Sequence, residues 1–465
     1  MQSHAVSTKI KLMKRYLVLL GCAPKLLLVF FLFPLTIQAA ELSSTGQGPI
    51  GVTLEDFFTA ALDYSPSLRI AEETLNIGSA RYRQARGQLL PQVNVNGALS
   101  DNTRNEPDIS TEFDGTRYSL QLTQVLFNWQ AFAAKKAATY EEDRAEVEYF
   151  GELAFILTEV ANTYFGVLQA EDALGSIAAE IEAVTNQRDQ IQSLYDLQLS
   201  QITDLYEAEA ALAAVEAEEL LLQSELALAQ EALRSVSGLN VGPIFQLSNE
   251  AVIPQLENDI NYWVRQARTG NHQVRAQEFA VKAADERVSE RRGAYMPQVN
   301  FVVQRQDSDV GFDNAPIART ENTYIGVNVS IPLYTGGTSR ARVSEARSQF
   351  RIAENELRAT QLEANERVRS AYLQVQSSEL RTEAARRLVE STELSAEASQ
   401  QGFELGTVTT VDVLNAIRDQ FQAQRDLQTT RYDHVRYLLL LKLEAGILSA
   451  EDMLEVGEWL EPRGL

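Results

Sequence analysis

Few residues of this sequence have the types and spacing that catalysis or metal binding requires. Beyond the first forty residues the chain has two histidines, His272 and His434, and its single cysteine is Cys22. Each histidine stands alone in a polar or helical stretch, where it would serve packing or the surface. The sequence contains no GxxxxGK[ST] phosphate loop, no HExxH zinc motif and no cysteine pair. We therefore expect no enzyme, no bound cofactor and no metal site.

Clustered acids are the remaining candidates for acid-base chemistry. Glu216, Glu218 and Glu219 lie close together, as a secreted enzyme could use them. Their helical spacing is instead typical of a solvated helix face. The formal net charge of the whole chain is −23. Such an acidic chain does not attract nucleic acid by charge, so we expect no nucleic-acid partner.

The first forty residues have the composition of a secretory signal. Five lysines and arginines, with no acid, accompany the apolar run Leu26 to Thr36, and Ala39 and Ala40 follow. This order predicts export, with residues 1–40 removed after Ala39 or Ala40. The apolar run is too short for a membrane-spanning helix. An alternative is lipoprotein processing at Leu19-Leu20-Gly21-Cys22, which would leave Cys22 acylated.

Two aspartates occupy matching positions in the rest of the chain. Asp204 follows the stretch Leu197-Gln198-Leu199-Ser200, and Asp412 follows Leu405-Gly406-Thr407-Val408. Both stretches interrupt a long helical pattern, and glycine, threonine and aspartate are typical of helix ends and starts. We expect each aspartate to lie at the beginning of a returning helix, and the two turns to lie together.

The positions match because the chain is a duplication. The segment LLPQVNV at 89–95 recurs as YMPQVNF at 295–301, an offset of 206 residues. Internal repeats of this kind define the architecture. They divide the exported chain into a first repeat over 41–237, a linker over 238–257, a second repeat over 258–446 and a C-terminal tail over 447–465.

Each repeat is expected to contain one β-hairpin, at 92–127 and at 298–333. An amphipathic helix, opened in the first repeat by a capping arrangement of Thr53 and Asp56, ends at a proline, and apolar and polar residues then alternate. The polar connections, 101–116 and 307–322, are predicted to be long loops. Long outer loops and alternating strands are typical of membrane barrels. The alternative is a soluble hairpin with one wet face.

After each hairpin the pattern becomes helical over about 130–236 and 338–446, with no proline. Apolar residues recur every three or four positions, which indicates a coiled-coil-like seam. A helix of about sixty residues would be about 90 Å long, at about 1.5 Å per residue. The helices must therefore project as a rod or wall.

Four strands cannot close a barrel, and open strand edges are not tolerated in lipid, because each unpaired backbone group there costs several kcal/mol. Several chains must therefore share one barrel. Counting alone permits two chains with eight strands or three chains with twelve.

The chain resembles the TolC-like outer-membrane efflux proteins of Gram-negative bacteria. The resemblance rests on the duplication, on PQVN entering each first strand, on QVLFNW and IPLYTGG leaving each second strand, and on GTVTTVDVLNA at 406–416. It implies an α+β membrane protein, a homotrimer with a twelve-stranded outer-membrane barrel, a twelve-helix periplasmic tunnel, and an equatorial belt built from the linker and tail. It also implies a passive exit duct of efflux pumps and type I secretion systems, which works with a periplasmic adaptor and an inner-membrane transporter.

The resemblance assigns the gate to the tips of the long helices. In a trimer, Asp204 and Asp412 would each recur three times and form a cation-attracting ring. The family often has a second aspartate at the position of Asn415, so the ring is expected to be weaker here. The family's closing tyrosine and arginine are replaced by Phe403 and Val408, which lack the polar groups. The alternative is that both aspartates only cap helices.

The same resemblance assigns adaptor contacts to the two tip turns, Leu197-Gln198-Leu199 and Leu405-Gly406-Thr407. Gln198 stands where glycine is usual, so we expect the two turns not to be equivalent. The alternative for Gly406 is a helix-ending glycine without a partner. For the whole chain, the alternative is a soluble periplasmic coiled-coil adaptor or scaffold. The cargo is not specified by any residue.

Overall fold

The computed structural model describes residues 52–107, 109–248, 251, 253–254, 256–311 and 315–462. The predicted signal segment 1–40 and Cys22 lie outside these residues. The helices are α1 (Leu54–Tyr64), α2 (Pro66–Gly87), α3 (Trp129–Asp196), α4 (Ile202–Ser237), α5 (Ile260–Gly270), α6 (His272–Arg292), α7 (Thr338–Glu404), α8 (Thr410–Ala445) and α9 (Ala450–Glu458). The strands are β1 (Gln92–Glu106), β2 (Ile109–Asn128), β3 (Gln246–Leu247), β4 (Gln298–Val310), β5 (Pro316–Ser330) and β6 (Leu460–Glu461).

The helical stretch before the first hairpin is two helices rather than the single helix that its periodicity predicts. Thr53 and Asp56 form the expected capping box at the start of α1. The chain then leaves the helical conformation at Ser65, whose hydroxyl caps α2, and Pro66 occupies the first turn of α2. Proline is favourable there because its missing N–H would have no helical partner.

β1, β2, β4 and β5 form one antiparallel sheet in that order, so the two hairpins of the duplication lie side by side. Val93 pairs with Leu122, Leu122 with Val303, and Val303 with Ile325. Residues directly opposite each other share a face. The alternation predicted from the sequence therefore gives one face a continuous apolar band across all four strands.

The long polar loops predicted at 101–116 and 307–322 are mostly strand. β1 and β2 pair up to Glu106 and Ile109, and β4 and β5 pair up to Val310 and Pro316. The prediction was wrong because the ladder is made by backbone groups, and Asp, Asn and Thr keep those groups available for pairing. The hairpins therefore extend well beyond their apolar band.

The helices lie side by side and form a wall. In the half nearer the sheet, the order of adjacent helices is α2, α3, α6, α7. In the half nearer the two tip turns, the order is α4, α3, α8, α7. α3 and α7 are 68 and 67 residues long, so each belongs to both halves. α3 includes an apolar window long enough to cross a membrane, but more than half of that window is buried against the protein. This window belongs to the core of the wall.

The core is thickest midway along the wall. Here α1, the segment around β3, and α9 pack on α3 and α8 in a cluster that includes Phe57, Tyr164, Phe165, Tyr432 and Met453. The Tyr164 hydroxyl donates a 2.7 Å hydrogen bond to the Phe245 carbonyl. These elements cover one side of the wall as a short belt.

The end of α8 lies against the junction between α5 and α6, beside this belt. Gly446, which ends α8, has a φ of 70°, and a Cβ there would collide with the Gly270 carbonyl group. Asn271, which caps α6, donates from its side chain to the Glu444 carbonyl at 2.9 Å. The junction therefore requires glycine on both sides.

Candidate functional site

The first tip turn connects α3 to α4 through a helix-ending hydrogen-bond pattern. The Gln198 amide donates to the Tyr195 carbonyl at 2.8 Å, and the Leu199 amide donates to the Leu194 carbonyl at 2.8 Å. This pair of bonds is the Schellman motif, which needs a left-handed residue after the helix. Gln198 supplies it, with a φ of 61°.

The second tip turn connects α7 to α8 with the same pattern. The Gly406 amide donates to Phe403 at 2.9 Å, the Thr407 amide donates to Gly402 at 2.8 Å, and Gly406 has a φ of 74°. The two turns are therefore equivalent in backbone conformation, although one uses glutamine where the other uses glycine. A side chain in this region costs roughly 1 to 2 kcal/mol.

Both aspartates act as caps at the first turn of the returning helices. The half-buried Asp204 accepts hydrogen bonds from the Ser200 hydroxyl at 2.7 Å and the Gln201 amide at 3.1 Å. The exposed Asp412 completes a capping box with Thr409. The hydrogen bond from the Thr409 side chain, and to a lesser extent the one from its amide, hold the pKa of Asp412 below its usual value of 3.8.

The two turns lie at the same end of the molecule. Leu205, just after Asp204, and Leu414, just after Asp412, belong to one apolar cluster with Ile191. Asn415 is half-buried on α8. The structure therefore brings together the residues that the sequence assigns to the gate.

Phe403 and Val408 have apolar surroundings. Phe403 is half-buried and packs against the same tip cluster. Val408 lies against Gly402, where an added Cβ would meet the valine side chain at 2.5 Å. Both residues thus stabilise the tip by packing.

The tip turns expose three leucines. Leu197 is 68% exposed, Leu199 is 72% exposed and Leu405 is 80% exposed. Gln198, Gly406 and Thr407 are exposed beside them. Apolar side chains grouped at an exposed end are typical of a protein contact surface.

Sequence reasoning missed a buried ion pair above the tip. Arg425 on α8 binds Glu180 on α3 at 2.6 Å, and Glu218 on α4 lies 4.0 Å from the same guanidinium group. The available signal was the position of Glu180, three residues after Ile177 and four before Val184 in an apolar seam. A charge at such a position requires a partner.

A sequence profile described as Outer membrane efflux protein matches residues 58–239 and 263–443. The chain is 26% identical over 434 residues to Outer membrane protein TolC of Vibrio cholerae, covering 92% of this chain and 98% of that one. It is 23% identical over 411 residues to the Alkaline protease secretion protein AprF of Pseudomonas aeruginosa, covering 86% of this chain and 85% of that one.

The fold is similar to that of VceC, an outer membrane protein of Vibrio cholerae. The TM-score is 0.73 at 21% sequence identity, over 84% of this chain and 96% of that one. The profile matches both halves of the duplicated chain and includes both tip turns. The chain therefore belongs to the outer membrane efflux protein family, a family of channels, and is an outer-membrane exit duct.

Proposed function

We propose that three copies of this chain form one continuous duct, with a twelve-stranded barrel in the outer membrane and a twelve-helix tunnel in the periplasm. The observation that carries the proposal is the open sheet. β1 and β5 are its two edges, and each has a neighbour on only one side. Lipid requires both edges to be paired, and a second copy of the chain offers the matching edge.

The helical wall has open sides that fit the same assembly. On the sheet side its edges are α2 and α7, and on the turn side they are α4 and α7. These helices expose large apolar residues: Ile70 and Ile77 on α2, Leu220, Leu221 and Leu228 on α4, and Ile352, Leu362, Leu373, Leu380, Leu388 and Leu394 on α7. Packing α7 of one copy against α2 and α4 of the next would bury both sets.

The apolar face of the sheet would contact lipid. Val93, Val95, Leu120, Ile325 and Val327 are all exposed on it. The opposite face includes Asn94, Asn96, Gln121, Gln304 and Asn328, which suit a water-filled lumen.

The proposed division of the chain assigns each part of the duct to a segment. Residues 1–40 direct export, 41–237 and 258–446 each contribute one hairpin and two long helices, and 238–257 with 447–465 form an equatorial belt. The belt agrees with the packing of α9 and the β3 segment on α3 and α8.

A duct of this kind is passive and needs partners. We propose a periplasmic adaptor that contacts the two tip turns, and an inner-membrane transporter that supplies energy and selects the cargo. The exposed leucines of the turns support the first contact. The Pseudomonas aeruginosa relative is a protease secretion protein, which favours polypeptides as one class of cargo. The efflux description of the family favours small molecules as a second class.

We further propose that Asp204 and Asp412 serve twice, as helix caps and as a cation-attracting ring at the mouth. An ionised carboxylate has several acceptor positions, so it can accept cap hydrogen bonds and still face the mouth, and the two roles are compatible. Asn415 adds no charge to this ring.

The decisive test is the behaviour of the exported chain after purification. We expect it to need detergent, to migrate as a trimer, and to produce ion channels in planar lipid bilayers. A chain that is monomeric and soluble in plain buffer would overturn the duct and favour a periplasmic adaptor or scaffold instead.

A further inference from the structure

The two ends of the helical wall carry opposite charge. Over the eleven residues nearest the sheet, the net charge is +3 in α2, +2 in α3, +1 in α6 and +2 in α7, a total of +8. Over the eleven residues nearest the tip turns, it is −1 in α3, −3 in α4, −2 in α7 and −1 in α8, a total of −7. The sheet end is therefore basic in a chain whose formal net charge is −23.

Six arginines account for most of the positive charge at the sheet end. They lie on the two helices that form the edges of the wall there: Arg81, Arg83 and Arg86 at the end of α2, and Arg340, Arg342 and Arg347 at the start of α7. We call these six residues the basic collar. All six are exposed, and none of them forms an ion pair with any residue that the structure describes. Exposed arginines grouped in this way on an acidic chain indicate an anionic partner.

The basic residues begin where the apolar face of the sheet ends. Phe127 in β2 pairs with Val299 on that face, and its ring packs against the ring of Phe132 in α3, with the centroids 6.3 Å apart. Lys136, which binds Glu286 at 2.5 Å, follows Phe132 by four residues and is 59% exposed on the same side of α3. Positive charge therefore starts about 6 Å beyond the last aromatic ring of this face, at about 1.5 Å per residue.

This depth corresponds to the headgroup layer of a membrane. A bilayer is about 40 to 45 Å thick and its hydrocarbon core is about 30 Å thick, so the headgroups occupy about 5 to 8 Å on each side. Eleven helical residues extend about 16 Å, so the collar lies in this layer and just beyond it. Amphipathic and apolar residues are exposed beside it, as is typical of a membrane interface: Trp129 is 41% exposed, Leu333 is 94% exposed and Tyr334 is 87% exposed.

The chemistry of the ligand follows from the guanidinium groups. Arginine presents a planar set of donors that matches the oxygens of a phosphate. Its long side chain can also extend along an apolar surface to reach a headgroup. A phosphodiester fixed in the membrane surface meets both conditions, whereas a free anion would gain nothing from the neighbouring Leu333 and Tyr334. The collar therefore fits an anionic phospholipid.

The assembly that pairs the strand edges also brings the two halves of the collar together. In the proposed duct, α7 of one copy packs against α2 of the next, so three arginines from each copy meet at every contact between copies. Like charges repel across such a contact, and the only acid among the first eleven residues of α7 is Glu345. Phosphates bound at the contact would offset this repulsion.

We propose that the basic collar binds anionic phospholipids of the leaflet that faces the periplasm, and that their phosphates neutralise the contact between α2 of one copy and α7 of the next. The inference rests on the proposed duct. It gives the membrane a part in holding the three copies together at the level where the barrel joins the helical tunnel.

The test is native mass spectrometry of the full exported chain, purified as a trimer in detergent and mixed with phosphatidylglycerol, which is anionic, or phosphatidylcholine, which has no net charge. We expect the parent to retain phosphatidylglycerol in preference, and added ammonium acetate to weaken this preference. The triple variant Arg340→Gln, Arg342→Gln, Arg347→Gln should bind phosphatidylglycerol about a hundredfold more weakly. Each basic residue near an anionic surface changes the affinity about fivefold.

The matched control is the triple variant Arg381→Gln, Arg386→Gln, Arg387→Gln, which removes the same charge from exposed positions of α7 far from the sheet. It should bind phosphatidylglycerol as the parent does. Lysine in place of arginine at the three collar positions keeps the charge and should retain most of the binding. A general loss of packing would reduce the binding in both collar variants.

Equal retention of the two lipids by the parent trimer would overturn the lipid site and leave the duct intact. The same holds if the triple glutamine variant of the collar changes ion selectivity without losing lipid, because the arginines would then line the lumen. If inorganic phosphate protects the trimer from thermal dissociation as well as phosphatidylglycerol does, the ligand is a free anion and not a lipid. If the triple variant does not assemble, the comparison of the two lipids on the parent decides. A parent that forms no trimer would overturn the duct itself.

Discussion

The two tip turns have the same backbone and different side chains. Each ends its helix with the same pair of hydrogen bonds and a residue of positive φ. One turn uses Gly406 in the conformation that glycine adopts freely, and the other holds Gln198 there. The returning helix is capped by Asp412 with Thr409 in one turn, and by Asp204 with Ser200 in the other. The required geometry is thus conserved between the repeats, whereas the residues that provide it are not.

The largest effect should come from the aspartate that each turn provides. Replacing both Asp204 and Asp412 with Ala should reduce cation over anion permeability towards a ratio of one, because the duct mouth would lose six carboxylates in a trimer. Each single variant should show part of the loss, and the larger loss identifies the turn that contributes more to cation selectivity. The measurement is the reversal potential in a salt gradient, with the exposed Asp419→Asn as control. Unchanged selectivity in the double variant would leave the aspartates as caps alone.

The next effect concerns the turn that has glycine. Gly406→Leu should weaken assembly with the adaptor strongly while the trimer persists, because it forces a branched side chain into a left-handed conformation at the contact surface. Copurification of the adaptor measures this directly. The control is Gly175→Leu, at an exposed glycine on α3, and this variant should assemble normally with the adaptor. Normal export by the Gly406 variant would contradict an adaptor role for this turn.

A reciprocal exchange would measure the difference between the turns. Gln198→Gly should stabilise the first turn by about 1 kcal/mol, and Gly406→Gln should destabilise the second by a similar amount. Amide hydrogen exchange at Leu199 and Thr407, which donate the closing bonds, reports each turn locally. Exchange rates that do not change in opposite directions would show that the positive φ of Gln198 carries no strain.

The smallest effect is a titration. Because its pKa is lowered in the folded protein, Asp412 contributes stability that is present above its usual pKa of 3.8 and lost as the pH falls through the folded value. Thr409→Ala should bring the pKa of Asp412 back towards 3.8 and cost about 1 kcal/mol through the lost N-cap. NMR titration of the Asp412 carboxyl group would detect this change in pKa. An unchanged pKa would mean that the Thr409 hydroxyl is not the cause.

The sequence predicts the long helices well because their ends carry strong local signals. The helices α3, α4, α7 and α8 begin and end close to the predicted positions, since caps and left-handed turns are encoded within a few residues. The hairpin loops were predicted wrongly, because polar composition says nothing about backbone pairing between strands.

The position of Glu180 in an apolar seam indicates that it needs a partner, but the sequence does not identify Arg425 as that partner. Arg425 lies in the other repeat, and only the packing of α8 on α3 brings the two side chains within reach. The left-handed conformation of Gln198 was hidden in the same way, because the tip turn imposes it on a residue that does not favour it.

The contact of two backbones at Gly270 and Gly446 also fixes the phase of α8. A helix turns by about 100° per residue. A single residue inserted between Arg425 and Gly446 would therefore rotate Arg425 a quarter-turn or more away from Glu180, while the junction itself stayed anchored. The number of residues between Arg425 and Gly446 is therefore constrained. Related sequences should vary in length at the strand tips and in the linker, and not between these two residues.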